Sequence, residues 1–600
     1  MTRVKSKLQI YSKQFLSFWT SLLRSYAIFW QNNSYLDLTH VEKRFLIFIV
    51  FLSFVGLYLG WKTFWFLTDD AFIAFRYVSN SILGFGYVWN RPPFMPVEGY
   101  TSYLWVLLLD VVWRVFDIVP PKSANWISLA FSSLTVLLGV LMCLQLNWIG
   151  VHKKYRLVYL IVFLAGVLGN RTFLAWTSSG LETAMFNFLF LLWLYGNFYL
   201  QHSSRMWLWV ISGSASLLYL TRPDGILAVV ATGFLIFVAF YRKSKNAIEL
   251  KDFISVSSLA AVPVHLFWRR LTYGEWLPNT FVAKSAPSLF WVTSGAKYLL
   301  LFVIEYALWI YLALLLVYII RKIALHRQSN REFLFLELSL SNLARGVSIP
   351  VLLGHFAYYT FVVGGDYFEF RVYSHWIFLI FLSSIWLIIR VSTRFYPALL
   401  FLAVFLVASW IIPWTHWSIN RSLTRDEIQS RQVLVSSAIR QRYPVLPDLI
   451  YDYLRYYDNL QKWLLQHRIC VRYHQHKLLW LNLVKYFPTR EDGSMVNGDG
   501  FPVVTQHAVG VLSWVLPNVN VIDLLGLNDY IIARNTDINS SMRMAHFRRP
   551  PEDYVDCFDP NVRIRTKKVT VLSRDEPLTE EKIMFCEQHY LQLVNESVNK

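Results

Sequence analysis

"FWFLTDDAFIAFRYVSN", residues 64–80, sets two aspartates directly behind a long apolar run. That run, residues 45–66 (FLIFIVFLSFVGLYLGWKTFWF), has the ~20 residues needed to cross a hydrocarbon core of about 30 Å. Asp69 and Asp70 therefore stand where a membrane span ends, and Arg76 follows about two helical turns later. Ionisable groups at membrane depth are costly, and chains that keep them usually use them. If 69–82 is a helix lying on the membrane, its first turn carries both carboxylates, where free N–H groups and the helix dipole favour the ionised form. Asp69, Ile73, Arg76 and Asn80 then share one stripe, while Asp70 points about 100° away from Asp69. An ionised carboxylate facing a hydroxyl can act as general base. The bland alternative is a pair that merely caps an interfacial helix.

The rest of the chain has the same apolar character. Of 600 residues, 55% are hydrophobic and 16% charged, far from the balance of a soluble domain. About twelve apolar segments stand out against the ~20-residue yardstick. They lie near 45–66, 102–119, 125–147, 157–170, 183–200, 206–220, 225–240, 252–268, 297–320, 348–363, 373–390 and 396–412. The first is too long and too late for a cleaved signal peptide and reads as a retained span. After Trp414 charges and prolines return, and 415–600 has the size of one soluble domain. Within it 425–485 reads as mostly helical, and "FPVVTQHAVGVLSWVL" and "NVNVIDLLGLNDY" as strands and turns. The expected division is a cytoplasmic or interfacial segment over 1–44, a transmembrane domain over 45–414 with its outer loop at 67–101, and an extracytoplasmic domain over 415–600.

Charge orients these segments. The net charge is +19, with much of the excess in RVKSK near the start, EKR at 42–44, HKKYR at 152–156, YRKSK at 241–245 and RKIALHR at 321–327. Short Lys/Arg-rich loops mark the cytoplasmic side. Alternation then places 171–182, 221–225, 269–296, 364–372 and the C-terminal domain outside. An inside start and an outside end require an odd number of crossings. Segment 102–119, with Asp110, Arg114 and Asp117, is the weakest, so it is expected to be re-entrant or interfacial and about eleven segments to cross. Charge spread between spans forms no single soluble basic face, which argues against nucleic acid. The four cysteines show no C-x-x-C spacing. Cys143 lies in a span, and Cys470, Cys557 and Cys586 lie in the tail, where one disulfide or free buried thiols both remain open. No H-E-x-x-H, Walker loop or G-x-G-x-x-G occurs.

So oriented, the unusual side chains collect on one face: Asp69, Asp70, Arg76, Glu98, Arg171, Glu182, Arg222, Asp224, Arg269, Arg270, Lys284, Asp366, Glu369 and Arg371. Cations clustered against the positive-inside tendency point to an anionic ligand such as a phosphate, whose oxygens the arginine fork binds bidentately. "SSGLET" (178–183) reads as a helix start served by Glu182. "TRPDG" (221–225) is a loop with an Arg–Asp pair. "YGEWLPNTFVAK" (273–284) is a Gly/Pro-interrupted loop holding Asn279 and Lys284. In "GGDYFEFR" (364–371) the glycines permit close backbone approach to a ligand. In the tail, "VIDLLGLNDYIIAR" (521–534) carries Asp523, Asn528 and Asp529, polar groups on a loop of the kind that binds ligands.

Taken in order, "DDAFIAFRYVSN…GFGYVWN…VEGYTSYLW", "SGLET", "LTRPDG", "YGEWLPNTFVAK", "GGDYFEFR" and "VIDLLGLNDYIIAR" resemble the terminal β-arabinofuranosyltransferases of the AftB type, integral-membrane glycosyltransferases of the GT-C class. The resemblance runs from about residue 45 to 555. It implies a polytopic α-helical GT-C fold with an extracytoplasmic C-terminal α/β domain, in the cell (inner) membrane. It implies transfer of arabinofuranose or a similar sugar from a polyprenyl-phosphate donor to a hydroxyl of an extracytoplasmic glycan or glycolipid. Asp69 and Asp70 take the catalytic position, with Asp69 as base. Arg76, Glu98, Glu182, Arg222, Asp224, Arg269, Arg270, Asn279, Lys284, Asp366, Glu369, Arg371, Asp523, Asn528 and Asp529 are the candidate substrate-binding residues. No further cofactor is required, and a divalent cation is left open. "RPPFMPVEGY" (91–100) departs from the family pattern in its prolines and Met95. The rival readings are a flippase or transporter of lipid-linked sugars, whose internal repeats with broken helices in matching positions the sequence does not display, and an O-antigen ligase or polymerase.

Overall fold

The structure is a computed structural model describing residues 38–202, 204–243, 248–284, 289–326, 339–424, 434–537, 543–544 and 546–599. The basic RVKSK lead and parts of the basic loops at 241–251 and 321–331 lie outside these residues. The chain is a polytopic helical membrane protein. Its helices are α1 (His40–Thr63), α2 (Asp69–Ile82), α3 (Tyr103–Phe116), α4 (Pro120–Leu144), α5 (Arg156–Leu168), α6 (Thr183–Tyr199), α7 (Arg205–Thr221), α8 (Ile226–Arg242) and α9 (Leu250–Tyr273). There follow α10 (Asn279–Lys284), α11 (Leu289–Glu305), α12 (Leu308–His326), α13 (Leu340–Ala357), α14 (Ser374–Val391) and α15 (Phe395–Asn420). Among the described residues six helical stretches are long and apolar enough to cross a membrane: 40–63, 120–144, 223–242, 250–273, 371–391 and 395–420. A seventh is added if the pair 290–305 and 308–324, bent by 90°, counts as one span.

Two faces of the bundle differ in what holds them. On one, the basic helix ends meet: Arg156 pairs with Glu42 at 3.6 Å, His152 bonds the Ser392 carbonyl at 2.8 Å, and Arg390 donates to the Asn147 carbonyl at 3.1 Å. On the other, the end of α1 is sewn to its neighbours. The Thr68 amide donates to the Ser179 carbonyl at 3.0 Å. The Asn125 amide donates to the Phe66 carbonyl at 2.9 Å and its oxygen accepts from the Gly180 amide at 2.9 Å. Helix α3 belongs entirely to this second face: Trp105 near its start donates to the Gly180 carbonyl at 3.0 Å, and Arg114 near its end donates to the Ser81 carbonyl at 3.0 Å.

The C-terminal part begins later than its composition suggests, because α15 runs on past Trp414 to Asn420. It contains α16 (Asp448–Gln466), α17 (Tyr473–Tyr486), α18 (Val509–Val515) and α19 (Glu580–Asn599). Strands β1 (Val503–Gln506) and β2 (Asn520–Asp523) pair in parallel, Val503 opposite Asn520, and β3 (Val562–Arg565) and β4 (Lys568–Val571) form a hairpin. "FPVVTQHAVGVLSWVL" is thus strand and helix rather than strand and turn. Its apolar run is too short to declare a period by itself, and the partners that make it helical come from α2. A disulfide joins Cys557 to Cys586, while Cys143 and Cys470 are free and buried. The apolar core is continuous from the bundle into α16, α17 and α18.

Candidate active site

Helix α2 starts at Thr68, whose hydroxyl accepts from the Ala71 amide at 3.1 Å. The two aspartates behind this cap part company. Asp69 is turned into the protein, where its carboxylate accepts from the amides of Val511 at 2.8 Å and Gly510 at 3.2 Å. Burial raises its pKa to about 7 against the pull of those amides. Asp70 is half-buried, and among the described residues its carboxylate accepts no hydrogen bond. The charges acting on it are the cations Lys284 and Arg371, then Asp366 and Glu182. Burial lifts its pKa above the ordinary carboxylate range, while Lys284 and Arg371 pull it back.

Lys284, the last residue of α10, is the complement of Asp70. Burial lowers its pKa and Asp70 opposes that. It makes no hydrogen bond or close ion pair among the described residues. Arg371 lies over the Phe368 ring at 4.4 Å and pairs with Asp366 at 2.9 and 3.3 Å. Arg222 is held by Glu182 at 2.7 Å, Asp224 at 3.3 Å and the Tyr359 hydroxyl at 2.6 Å, and Asp224 in turn meets His355 Nε2 at 2.8 Å. The charges of Lys284 and Arg371 thus act on a part-exposed carboxylate, and Arg222, braced by Glu182, Asp224 and Tyr359, acts in turn on Lys284 and Arg371. That arrangement can deprotonate a neutral hydroxyl next to a bound anion.

Part of this chain is similar to a known arabinofuranosyltransferase. The terminal β-(1→2)-arabinofuranosyltransferase of Corynebacterium glutamicum is 29% identical over 289 residues, covering 43% of this chain and 38% of that protein. The chain thus matches well under half of that relative's length, and the resemblance carried by the sequence blocks is borne out over that stretch. No family model matches. Among solved structures, ArnT from Cupriavidus metallidurans bound to undecaprenyl phosphate is similar with a TM-score of 0.42 and 10% identity, over 80% of this chain and 85% of that one.

Several residues expected to bind substrate are engaged elsewhere. Arg76 donates to the carbonyls of Trp89, Ser513, Leu516, Pro517 and Val519 at 2.9–3.1 Å. Glu98 pairs with Arg269 at 2.6 and 3.2 Å, and burial raises the Glu98 pKa to about 7 against Arg269. Arg270 donates to the Gly274 carbonyl beside it. Asn279 donates to the carbonyls of Gly526, Leu527 and Asp529 at 2.9–3.1 Å and accepts from Arg534 at 2.8 Å, stapling α10 to the C-terminal part. Asp523 accepts from the Leu525 and Asn528 amides at 3.0 and 2.9 Å, and the Asn528 oxygen accepts from Tyr77 at 3.1 Å. Asp529 caps the short helix Tyr530–Arg534 and accepts from Tyr554 at 2.9 Å.

Glu369 belongs to a buried four-charge network with Arg171, Glu305 and Arg472, each at most 1% exposed. Gly364 and Gly365 hold φ of 84° and 104°, and a Cβ on Gly364 would meet Ser294 and Trp291 at 2.8 Å, so these glycines make the turn rather than approach a ligand. Sequence reasoning missed Glu305, Arg472, Tyr359 and His355, which carry no local pattern and become meaningful only where distant segments meet. Among the described residues no group of three His, Cys, Asp or Glu side chains is placed to hold a metal ion.

Proposed function

We propose that this chain is an integral-membrane glycosyltransferase that moves arabinofuranose or a similar sugar from a polyprenyl-phosphate donor to a hydroxyl of an extracytoplasmic glycan or glycolipid. The observation that carries the reading is the Asp70 carboxylate at the end of the first span, without a hydrogen bond among the described residues and under the charges of Lys284 and Arg371. The partial match to a terminal β-(1→2)-arabinofuranosyltransferase supports the sugar class.

In this mechanism Asp70 accepts the proton of the acceptor hydroxyl as its oxygen bonds to the anomeric carbon. The bond from that carbon to the phosphate oxygen breaks, and the electron pair leaves on the phosphate. Lys284 and Arg371 stabilise the departing charge, and Arg222, braced by Glu182 and Asp224, adds a cation nearby. The polyprenyl tail lies between the spans. Asp69 is assigned to the support of Asp70 rather than to proton transfer, because its oxygens are occupied by backbone amides.

The proposed topology has eleven crossings: α1, α4, α5, α6, α7, α8, α9, α12, α13, α14 and α15. Alternation of their ends between the two faces supports it, as does α3 having both ends on the site face. The basic face is cytoplasmic by the positive-inside tendency. The active site and the C-terminal part are outside, in the cell (inner) membrane of the cell. The Cys557–Cys586 disulfide supports that placement, since disulfides persist in oxidising compartments. The C-terminal part is assigned to acceptor binding.

The test is the purified chain with a panel of polyprenyl-phosphate and polyprenyl-pyrophosphate sugars and mass spectrometry of the products. Transfer from a monophosphate donor, reduced at least ~100-fold in Asp70→Asn, is expected. Transfer from pyrophosphate donors alone, or wild-type turnover in Asp70→Asn, would overturn the reading.

A further inference from the structure

Helix α18 is seven residues long, too short to hold together alone. Its N-cap residue Ala508 offers no side-chain cap. Both of its ends are completed from α2. At the start, the Val511 and Gly510 amides donate to Asp69 at 2.8 and 3.2 Å. At the finish, the carbonyls of Ser513, Leu516 and Pro517 accept from Arg76 Nη1 at 2.9–3.0 Å, and that of Val519 accepts from Nη2 at 2.9 Å. The Gly510 and Val511 amides and the Ser513 and Leu516 carbonyls are among the unpaired groups a helix leaves at its termini, and the Pro517 and Val519 carbonyls belong to the turn that follows.

The spacing explains the fit. Asp69 and Arg76 are separated by about 10.5 Å of helix rise, the length of a seven-residue helix at about 1.5 Å per residue. The two helices therefore run parallel, and one carboxylate and one guanidinium grip α18 end to end. At Gly510 a Cβ would meet the Asp69 carbonyl oxygen at 1.8 Å, so the backbones touch only because that residue is glycine. Arg490 adds a third hold, lying over the Trp514 ring at 3.9 Å and donating to Ser79 Oγ at 2.6 Å.

We infer that Asp69 is a positioning residue: with Arg76 it clamps C-terminal helix α18 against α2, and this clamp sets Asp70 in its working position. The inference rests on the assignment of Asp70 as base. Asp70 shares its turn of α2 with Asp69, about 100° around the helix, so a displaced Asp69 carries Asp70 with it. Misplacement of a reacting group by about 1 Å costs on the order of 100-fold in rate. Helix α18 is then a component of the active site, and its clamp governs kcat more than donor affinity, because Lys284 and Arg371 stand on elements that Asp69 and Arg76 do not hold.

The experiment uses the full chain in lipid nanodiscs with polyprenyl-phosphate arabinofuranose as donor, reading kcat, donor KM and amide exchange at Gly510 and Val511. Asp69→Asn keeps one acceptor oxygen for α18 and Asp69→Ala keeps none. The expected result is Asp69→Asn within about tenfold of wild-type kcat and Asp69→Ala down by about 100-fold, with donor KM unchanged in both. A base has no use for the asparagine, so equal inactivity of the two variants, with Gly510 and Val511 still protected in Asp69→Asn, would overturn the inference. If Asp69→Ala does not fold, Gly510→Ala replaces it, since it pushes α18 away while leaving the Asp69 carboxylate intact. Lowered kcat at unchanged donor KM supports the clamp, and wild-type kcat overturns it. Wild-type turnover in Asp70→Asn would remove the base assignment and leave the Asp69 and Gly510 comparison standing.

Discussion

Changing Glu369 to glutamine removes one charge from a network with no solvent to replace it. Glu369 accepts from Arg171, from Arg472 at 3.1 Å and from the Tyr473 amide at 3.2 Å. Glu305 accepts from Arg171 at 2.8 Å and Arg472 at 3.2 Å. Two arginines and two glutamates balance. Glu369→Gln leaves two buried arginines sharing one carboxylate, and breaking a buried pair from one side costs about 3–5 kcal/mol. The network joins the end of α5, the corner between α11 and α12, the 364–373 turn and the start of α17, so that cost falls on the contact between bundle and C-terminal part. At about 1.36 kcal/mol per factor of ten, docking weakens by roughly two to four orders of magnitude. The assay is thermal unfolding with amide exchange over α17 and α18. A paired Glu369→Leu, Arg472→Met change leaves one arginine and one glutamate and is expected to be milder than Glu369→Gln. Wild-type unfolding and exchange in Glu369→Gln, together with weakened donor binding, would refute the assignment and return Glu369 to the substrate.

The remaining predictions concern charge and pH. Burial holds the Asp70 pKa above the carboxylate range, so kcat should rise with pH through that raised value, and Asp70→Asn should flatten the profile. Lys284 lowers the Asp70 pKa, so Lys284→Met should shift the rise to higher pH as well as weaken donor binding by at least about tenfold; an unmoved profile would separate the two groups. Glu587 accepts from the Met95 amide at 3.0 Å, and burial raises its pKa to about 8 from an ordinary 4.5. The folded state then binds the proton more tightly than the unfolded one, so stability from this group is lost as pH climbs from about 4.5 to 8. Glu587→Gln should match the wild type in melting temperature near pH 4.5 and exceed it near pH 8; a difference of the opposite sign would show that Glu587 works as an anion.

The membrane class, the apolar helix that fills most of 45–66 and the helix that opens on Asp69 were legible, because the bilayer imposes a length and a polarity on single segments and a 3.6-residue period marks an amphipathic helix. The stripe Asp69, Ile73, Arg76, Asn80 was legible from helix geometry, but its meaning was not. A stripe shows which residues share a face, and only the fold shows that this face meets α18. For the same reason "AVGVLSWV" was unreadable as a helix, since the groups that complete it lie more than four hundred positions upstream. Asn279, Asp523, Asn528 and Asp529 were singled out as polar residues on loops. Asparagine and aspartate are also the residues that complete turns and helix starts, and here Asp523 and Asp529 do so, while Asn279 and Asn528 tie the C-terminal part to α10 and α2.

Composition alone cannot separate a charge that builds the protein from one that meets a ligand. The separation comes from hydrogen-bond satisfaction. A buried polar group costs free energy unless it is paired, so the residues that hold the fold are those whose donors and acceptors are used: Arg76 on carbonyls, Glu98 on Arg269, Glu369 on Arg171 and Arg472. A group that meets substrate must keep capacity open until substrate arrives. By that measure the acidic pair behind the first span divides. Asp69 is occupied by two backbone amides, and among the described residues Asp70 accepts no hydrogen bond. The cations divide likewise among those residues, with Arg269 paired to Glu98 and Lys284 without a hydrogen bond. Asp70 and Lys284 act on each other electrostatically, while the occupied groups hold the segments of the fold together.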